Sequence, residues 1–226
     1  MTDKHLSTQF DEELKVVSAR VLEMGGLAES QVTKAFSALI NLRAHEASLV
    51  LDREERMNAM EVDIDRNLSA IIARRQPAAR DLRSLIALSK TIANLERIGD
   101  EAVRIARTVG RFVDVGASTS VQQPLADIDL IGKLAMSQLR NALNAFAHLD
   151  VAEAHAQLTS NRMAMEFDEQ MRKLTTHMTE DPGTTAAVVD LVLVANALER
   201  VGGHTARLYE QIVYIVNGAD DSHRPA

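Results

Sequence analysis

Two pairs of carboxylates in this chain have a spacing suited to chemistry. Glu61 and Asp65 lie in MEVDID, and Glu96 and Asp100 lie in LERIGD. Each pair is spaced i, i+4, so on a helix both carboxylates project from one face. Like charges at that spacing repel by about 0.2–0.5 kcal/mol per pair. A cation placed between them removes the cost. If the two helices are neighbours, four carboxylates converge, and Glu54, two turns before Glu61, adds a fifth. Such an oxygen-only ligand set suits hard cations: Mg, Mn, Ca or ferric iron. The same pairs also fit a solvated helix face on which Arg66 and Arg97 balance them locally. Spacing alone leaves both readings open.

Other chemistries find little support. Cysteine is absent, which removes disulfides, a thiol nucleophile and thiolate ligands. No Glu-x-x-His motif of a di-iron bundle occurs, and the seven histidines show no His-Glu-x-x-His spacing. His204 follows the second LER motif and reads either as a substitute ligand or as a helix-face residue. The nine methionines read as flexible core filler. There is no phosphate-cradling glycine loop, no dinucleotide fingerprint and no Ser/His/Asp order. Asp81, in QPAARDLR, suits a helix N-terminus electrostatically, and Arg83 is placed to brace a carboxylate. No catalytic residue and no organic-cofactor site is assigned.

A net charge of −7 argues against nucleic acid as the main partner. The N-terminal MTDKHLSTQFDEELK lacks the apolar stretch of a secretory signal. The most apolar run, Ala186 to Ala195, is interrupted by Asp190 and is too short to span a bilayer. The expectation is a soluble, cytoplasmic chain with no membrane insertion.

The elements that must position the carboxylates are helices. Glycine (10) and proline (4) are scarce, while helix formers with unbranched side chains dominate. Apolar residues recur every three or four positions, as in Val188, Leu191, Ala195, Leu198, Val201, Thr205, Leu208, Ile212 and Ile215. Breaks in this pattern predict six helices near 4–42, 45–74, 77–114, 123–147, 151–179 and 183–217. Gly25-Gly26 falls inside the first and is a candidate bend.

The pattern is also written twice. LERIGD (95–100) returns as LERVGG (198–203), NLRAHEA (41–47) as HLDVAEA (148–154), and Met24-Gly25 as Ile131-Gly132. The fold expected is all-α: two tandem, homologous three-helix bundles at 1–115 and 123–218, joined by a linker at 116–124 and followed by a disordered tail at 219–226. Gly99 and Gly202 persist in both copies although glycine inside a helix costs about 1 kcal/mol. Close helix contacts are expected at both; the alternative is room for an ion.

These residues together resemble the PhoU family of phosphate-transport regulators. The resemblance is carried by MGG at 24–26, MEVDID, ARRQPAARDLR, ALSKTIANLERIGDEAVRIAR, NAFAHLDVAEA, HMTEDP and the closing LER-G, and it spans residues 5–218. It implies a non-enzymatic negative regulator of the phosphate-starvation response and of phosphate uptake. Such a protein links subunits of a phosphate ABC transporter to the sensor histidine kinase of a two-component system, and often dimerises. The resemblance also implies metal at the acidic motifs, here Glu61/Asp65 and Glu96/Asp100 with Glu54 alongside. The second half departs from the family pattern: Gly203 replaces a final Asp, Ser160 and Ala164 replace acidic residues, and Glu166, Asp168 and Glu199 stay nearby. A weak or lost second site is therefore expected. The competing expectations are a metal-dependent enzyme using the first-half cluster, a paralogue with a drifted signalling role, and a helical protein without ligand.

Overall fold

The structure, a computed structural model, describes residues 3–114 and 122–218. Those residues form α1 (Asp3–Ile40), α2 (Ala44–Leu51), α3 (Glu54–Arg75), α4 (Ala79–Asp114), α5 (Gln122–Asp127), α6 (Asp129–His148), α7 (Val151–Leu158), α8 (Arg162–Glu180) and α9 (Thr185–Asn217). The fold is all-α, and six of these helices are long. In the first half α1, α3 and α4 pack together with short α2 against them; in the second, α6, α8 and α9 do the same with α5 and α7. No helix among the described residues is long and apolar enough to cross a membrane.

Three of the six expected helices are each divided in two. The one expected over 45–74 turns at Asp52-Arg53, where the Arg53 N–H donates to Val50 O (3.1 Å) and tightens the turn. No glycine or proline marks that place. The one expected over 151–179 turns at Thr159–Asn161. There the Thr159 hydroxyl donates to His155 O and Ala156 O (3.1 and 3.0 Å), a local alternative to the helix ladder. The one expected over 123–147 steps at Ile128, with His177 on α8 fastened to Asp127 at 2.7 Å. The expected linker at 116–124 also yields at its end. Gln122–Pro124 belong to α5, with Pro124 in a first turn where its missing N–H costs nothing. Residues 115–121 and the expected tail at 219–226 lie outside the described residues.

One apolar core runs through both halves, from Phe10 on α1 to Ile215 on α9. Two seams make it continuous. Along the first, α4 and α9 lie antiparallel: Arg83 packs on Gly218, Glu101 faces Arg200 and Arg111 grips Asp190. At the second, α1 crosses α6. α1 passes unbroken through Gly25-Gly26, and a Cβ on Gly25 would run into Leu143. A Cβ on Gly132, the matching glycine of α6, would run into the ring of Phe36 on α1. The two contacts are reciprocal, since Phe36 and Leu143 occupy matching places in the repeat. Gly25 is thus needed for the approach of α6 rather than for a bend.

The repeated NLR and HLD turns share a backbone feature. Leu42 (φ 53) and Leu149 (φ 51) both adopt the left-handed conformation that ends a helix. For a residue with a Cβ this costs about 1–2 kcal/mol. Leu149 is 38 % exposed and gives little packing in return. Leu149→Gly should therefore stabilise the fold by about 0.5–1 kcal/mol, after the entropy that glycine adds to the unfolded chain. The urea midpoint should rise with an unchanged slope. Leu42, packed against the core, should gain nothing from the same change.

Candidate functional site

The carboxylates named from sequence meet on the face shared by α3 and α4. Burial, then Asp65 and Asp100, push the Glu61 carboxyl up, against the pull of Arg97. Burial, then Asp100, Glu61 and Glu54, push Glu96 up, Arg97 again opposing. Glu61 therefore feels Asp65, Asp100 and Glu96, and Glu96 feels Asp100, Glu61 and Glu54. Antiparallel packing of α3 on α4 produces this, because it sets successive turns of the two helices side by side. Arg97 offsets only part of this, since both carboxyls stay raised despite it. Two members have further partners. The Ser89 hydroxyl donates to Asp65 (3.1 Å), and Arg107 on α4 reaches Glu54 (3.5 Å). As the side chains stand, no three His, Asp or Glu among the described residues are grouped tightly enough to hold one ion. The face collects negative charge without closing around a point.

Gly99 lies between Glu96 and Asp100 and faces the interior. A Cβ there would meet Gln31 Oε1 at 3.1 Å and Met57 Cγ at 3.2 Å. Gly202 repeats this arrangement: its Cβ would meet Met163 Cγ at 2.9 Å and Gln138 Oε1 at 3.5 Å. Both glycines admit a methionine and a glutamine from facing helices, so the space they leave is filled by side chains and not by an ion.

The same contacts fix the register between the halves. Met57 and Met163 are equivalent. One turn further on, Glu61 is matched by Phe167; after another turn, Asp65 is matched by Met171. Phe167 and Met171 pack on the core. Ser160 takes the place of Glu54, Ala164 that of Asn58, and exposed Gly203 that of Asp100; only Glu199, matching Glu96, keeps a carboxylate. Glu166 accepts a hydrogen bond from buried Gln170, and Asp168 is exposed. The second half has exchanged its acidic face for apolar packing. Sequence reasoning noticed Ser160, Ala164 and Gly203 but missed Phe167 and Met171, because the pairing of Met57 with Met163 that sets this register is visible only in the packing.

His204 sits on the α4–α9 seam. Its Nδ1 lies 3.1 Å from Asn94 Oδ1. Burial, then Arg207, Arg97 and Arg200, hold its pKa below 6.5. A depressed histidine favours folding above its unfolded pKa, and that contribution is lost progressively as pH falls from about 6.5 towards the lower folded-state value. His204→Gln keeps a hydrogen-bonding group beside Asn94. The fall in melting temperature between about pH 7.5 and about pH 5.5 should be smaller in this variant than in the parent. Arg83 braces no carboxylate of the cluster; it lies against Gly218 at the end of α9, where a cation suits the helix C-terminus.

The family model for the PhoU domain matches this chain twice, over residues 21–109 and 128–212. The chain belongs to the PhoU family. A PhoU homologue of the phosphate-specific transport system from a Burkholderia species is 45% identical over 99% of this chain and 95% of its own length. The PhoU accessory protein of Escherichia coli is 37% identical over 98% of this chain and 90% of its own. The crystal structure of PhoU from Pseudomonas aeruginosa superposes with a TM-score of 0.88 at 36% identity, covering 93% of this chain and 100% of that one. The two PhoU-domain matches fall on the two copies of the repeat. Within that family frame, the apolar exchange at Phe167 and Met171 makes the two halves of this chain chemically unequal.

Proposed function

We propose that this chain is an accessory regulator of a phosphate-specific transport system and acts by docking, not by catalysis. The observation that carries this reading is near-full-length similarity to proteins bearing that name. In this reading the chain works in the cytoplasm as a homodimer. It represses the phosphate-starvation response and restrains phosphate uptake by joining transporter subunits to a sensor histidine kinase. Deleting its gene should switch on phosphate-starvation genes in phosphate-rich medium, and the wild-type chain should restore repression. Normal repression in the deletion strain would sink the idea.

The proposal extends to a hard cation on the α3–α4 face. The donor chemistry fits: five carboxylates crowd one face, and burial plus mutual repulsion raise two of them. Glu61, Asp65, Glu96 and Asp100 would hold the ion, with Glu54 beside them, after the half-buried glutamates change rotamer. The ion would supply positive charge that relieves the repulsion and stiffens the face for docking. The raised carboxyls also support, as a second reading, a metal-dependent enzyme that uses this cluster. Turnover of a substrate that disappears in Glu96→Ala/Asp100→Ala would favour it over the docking role.

A further inference from the structure

The two LER motifs meet where α4 and α9 cross, and the repeat leaves a groove on each side of that seam. One holds Lys90, Arg97 and Arg207 together with Glu210. The other, about 470 Å³, holds Arg104, Arg107, Arg111 and Arg200 with Thr108 and Asn196. Under the repeat, Arg97 matches Arg200 and Arg207 matches Arg104. Arg107 and Arg111 then stand where the first groove's side has Glu210 and Tyr214. The second groove therefore carries four guanidinium groups, where the first has two and a lysine.

Its arginines keep donors free. Their side chains are 49–60 % exposed. Arg104 and Arg200 share Glu101 Oε1 at 3.3 and 3.6 Å, and Arg107 reaches Glu54 at 3.5 Å. These are long contacts for guanidinium groups that each carry five donors. Arg111 alone is held tightly, with Asp190 accepting from Nε and Nη2 at 2.9 and 2.6 Å. Glu101 is 4 % exposed, and its Oε2 is buried without a hydrogen-bond partner. Glu101, at the floor, draws Arg104 of α4 and Arg200 of α9 toward one another across the groove, so the guanidinium groups and not the carboxylate face the opening.

Arg104, Arg107 and Arg111 follow one face of α4 for two turns, about 10 Å. That run is longer than a single tetrahedral anion. We propose that this groove binds an extended chain of linked phosphates, either inorganic polyphosphate or the tail of a nucleoside triphosphate. Bidentate guanidinium recognition suits such oxygens, and the volume is that of a small-molecule site. The inference does not depend on the docking role.

Calorimetric titration of the full chain at fixed ionic strength, with EDTA to silence the carboxylate face, tests it. The probes are tripolyphosphate, ATP, orthophosphate and a polyglutamate peptide. Tripolyphosphate should bind at least about tenfold tighter than orthophosphate or polyglutamate. Arg104→Gln/Arg107→Gln should weaken it about tenfold or more, as expected for lost charge-assisted hydrogen bonds. Lys90→Gln/Arg207→Gln, in the other groove, should change it less than about twofold, and Arg107→Glu should repeat the loss at unchanged melting temperature. ATP binding equal to tripolyphosphate assigns the site to the phosphate chain alone; tighter ATP binding adds the nucleoside. The proposal is overturned by absence of saturable binding of both, by orthophosphate or polyglutamate binding as tightly, or by equal losses in both grooves.

Discussion

Gly132→Ala will destabilise the protein by about 2 kcal/mol or more, although alanine is the better helix former by about 1 kcal/mol. The added methyl has nowhere to go. Three atoms of the Phe36 ring occupy its position, and Phe36 is 3 % exposed and enclosed by the shared core. Overpacking of that kind costs about 1–3 kcal/mol, occasionally more. In a chain of 226 residues each kcal/mol lowers the melting temperature by about 2–4 °C. Phe36→Leu should partly rescue the variant, and the double-mutant cycle should show coupling of about 1 kcal/mol or more. Gly26 provides the control. A Cβ there meets nothing within 4 Å, so Gly26→Ala should stabilise by about 0.5–1 kcal/mol. Equal stability of Gly132→Ala and the parent would mean that the α1–α6 crossing is looser than described.

Adding Mg, Mn or iron should raise the melting temperature through the first half alone. At a hundred times Kd, a ligand that binds only the folded state adds about 2.7 kcal/mol, several degrees for a protein of this size. Glu61→Gln/Glu96→Gln should abolish the rise. Without metal, the same variant should be slightly more stable than the parent, because each like-charge pair removed relieves about 0.2–0.5 kcal/mol. These opposite signs separate an ion site from a merely structural cluster. Glu199→Gln should leave the metal response intact, since Phe167, Met171 and Gly203 stand at the places that Glu61, Asp65 and Asp100 hold in the first half. A melting shift that survives loss of Glu61 and Glu96, or that needs Glu199, would contradict the one-sided site.

The sequence by itself determined the helical class, the duplication and the acidic residues of the first half. Those features are written in local periodicity: a 3.6-residue apolar stripe needs no partner to be recognised, and i, i+4 carboxylates share a face on any helix. It also marked Gly99 and Gly202 as contact points, because a glycine kept inside two helices must repay its cost somewhere. The turns at Asp52-Arg53 and Ile128 were decided by tertiary packing, since no residue at either place breaks a helix unaided. The loss of the second acidic face was only half legible. Gly203 announced it, but the substitutes Phe167 and Met171 depend on which turn of α8 lies against which turn of α9, and a repeat of unequal spacing cannot supply that register. The grooves beside the α4–α9 seam are wholly a product of tertiary structure. Arg104 and Arg200 stand far apart in the chain and become neighbours because two long helices, each needing to bury its apolar stripe, do so against one another.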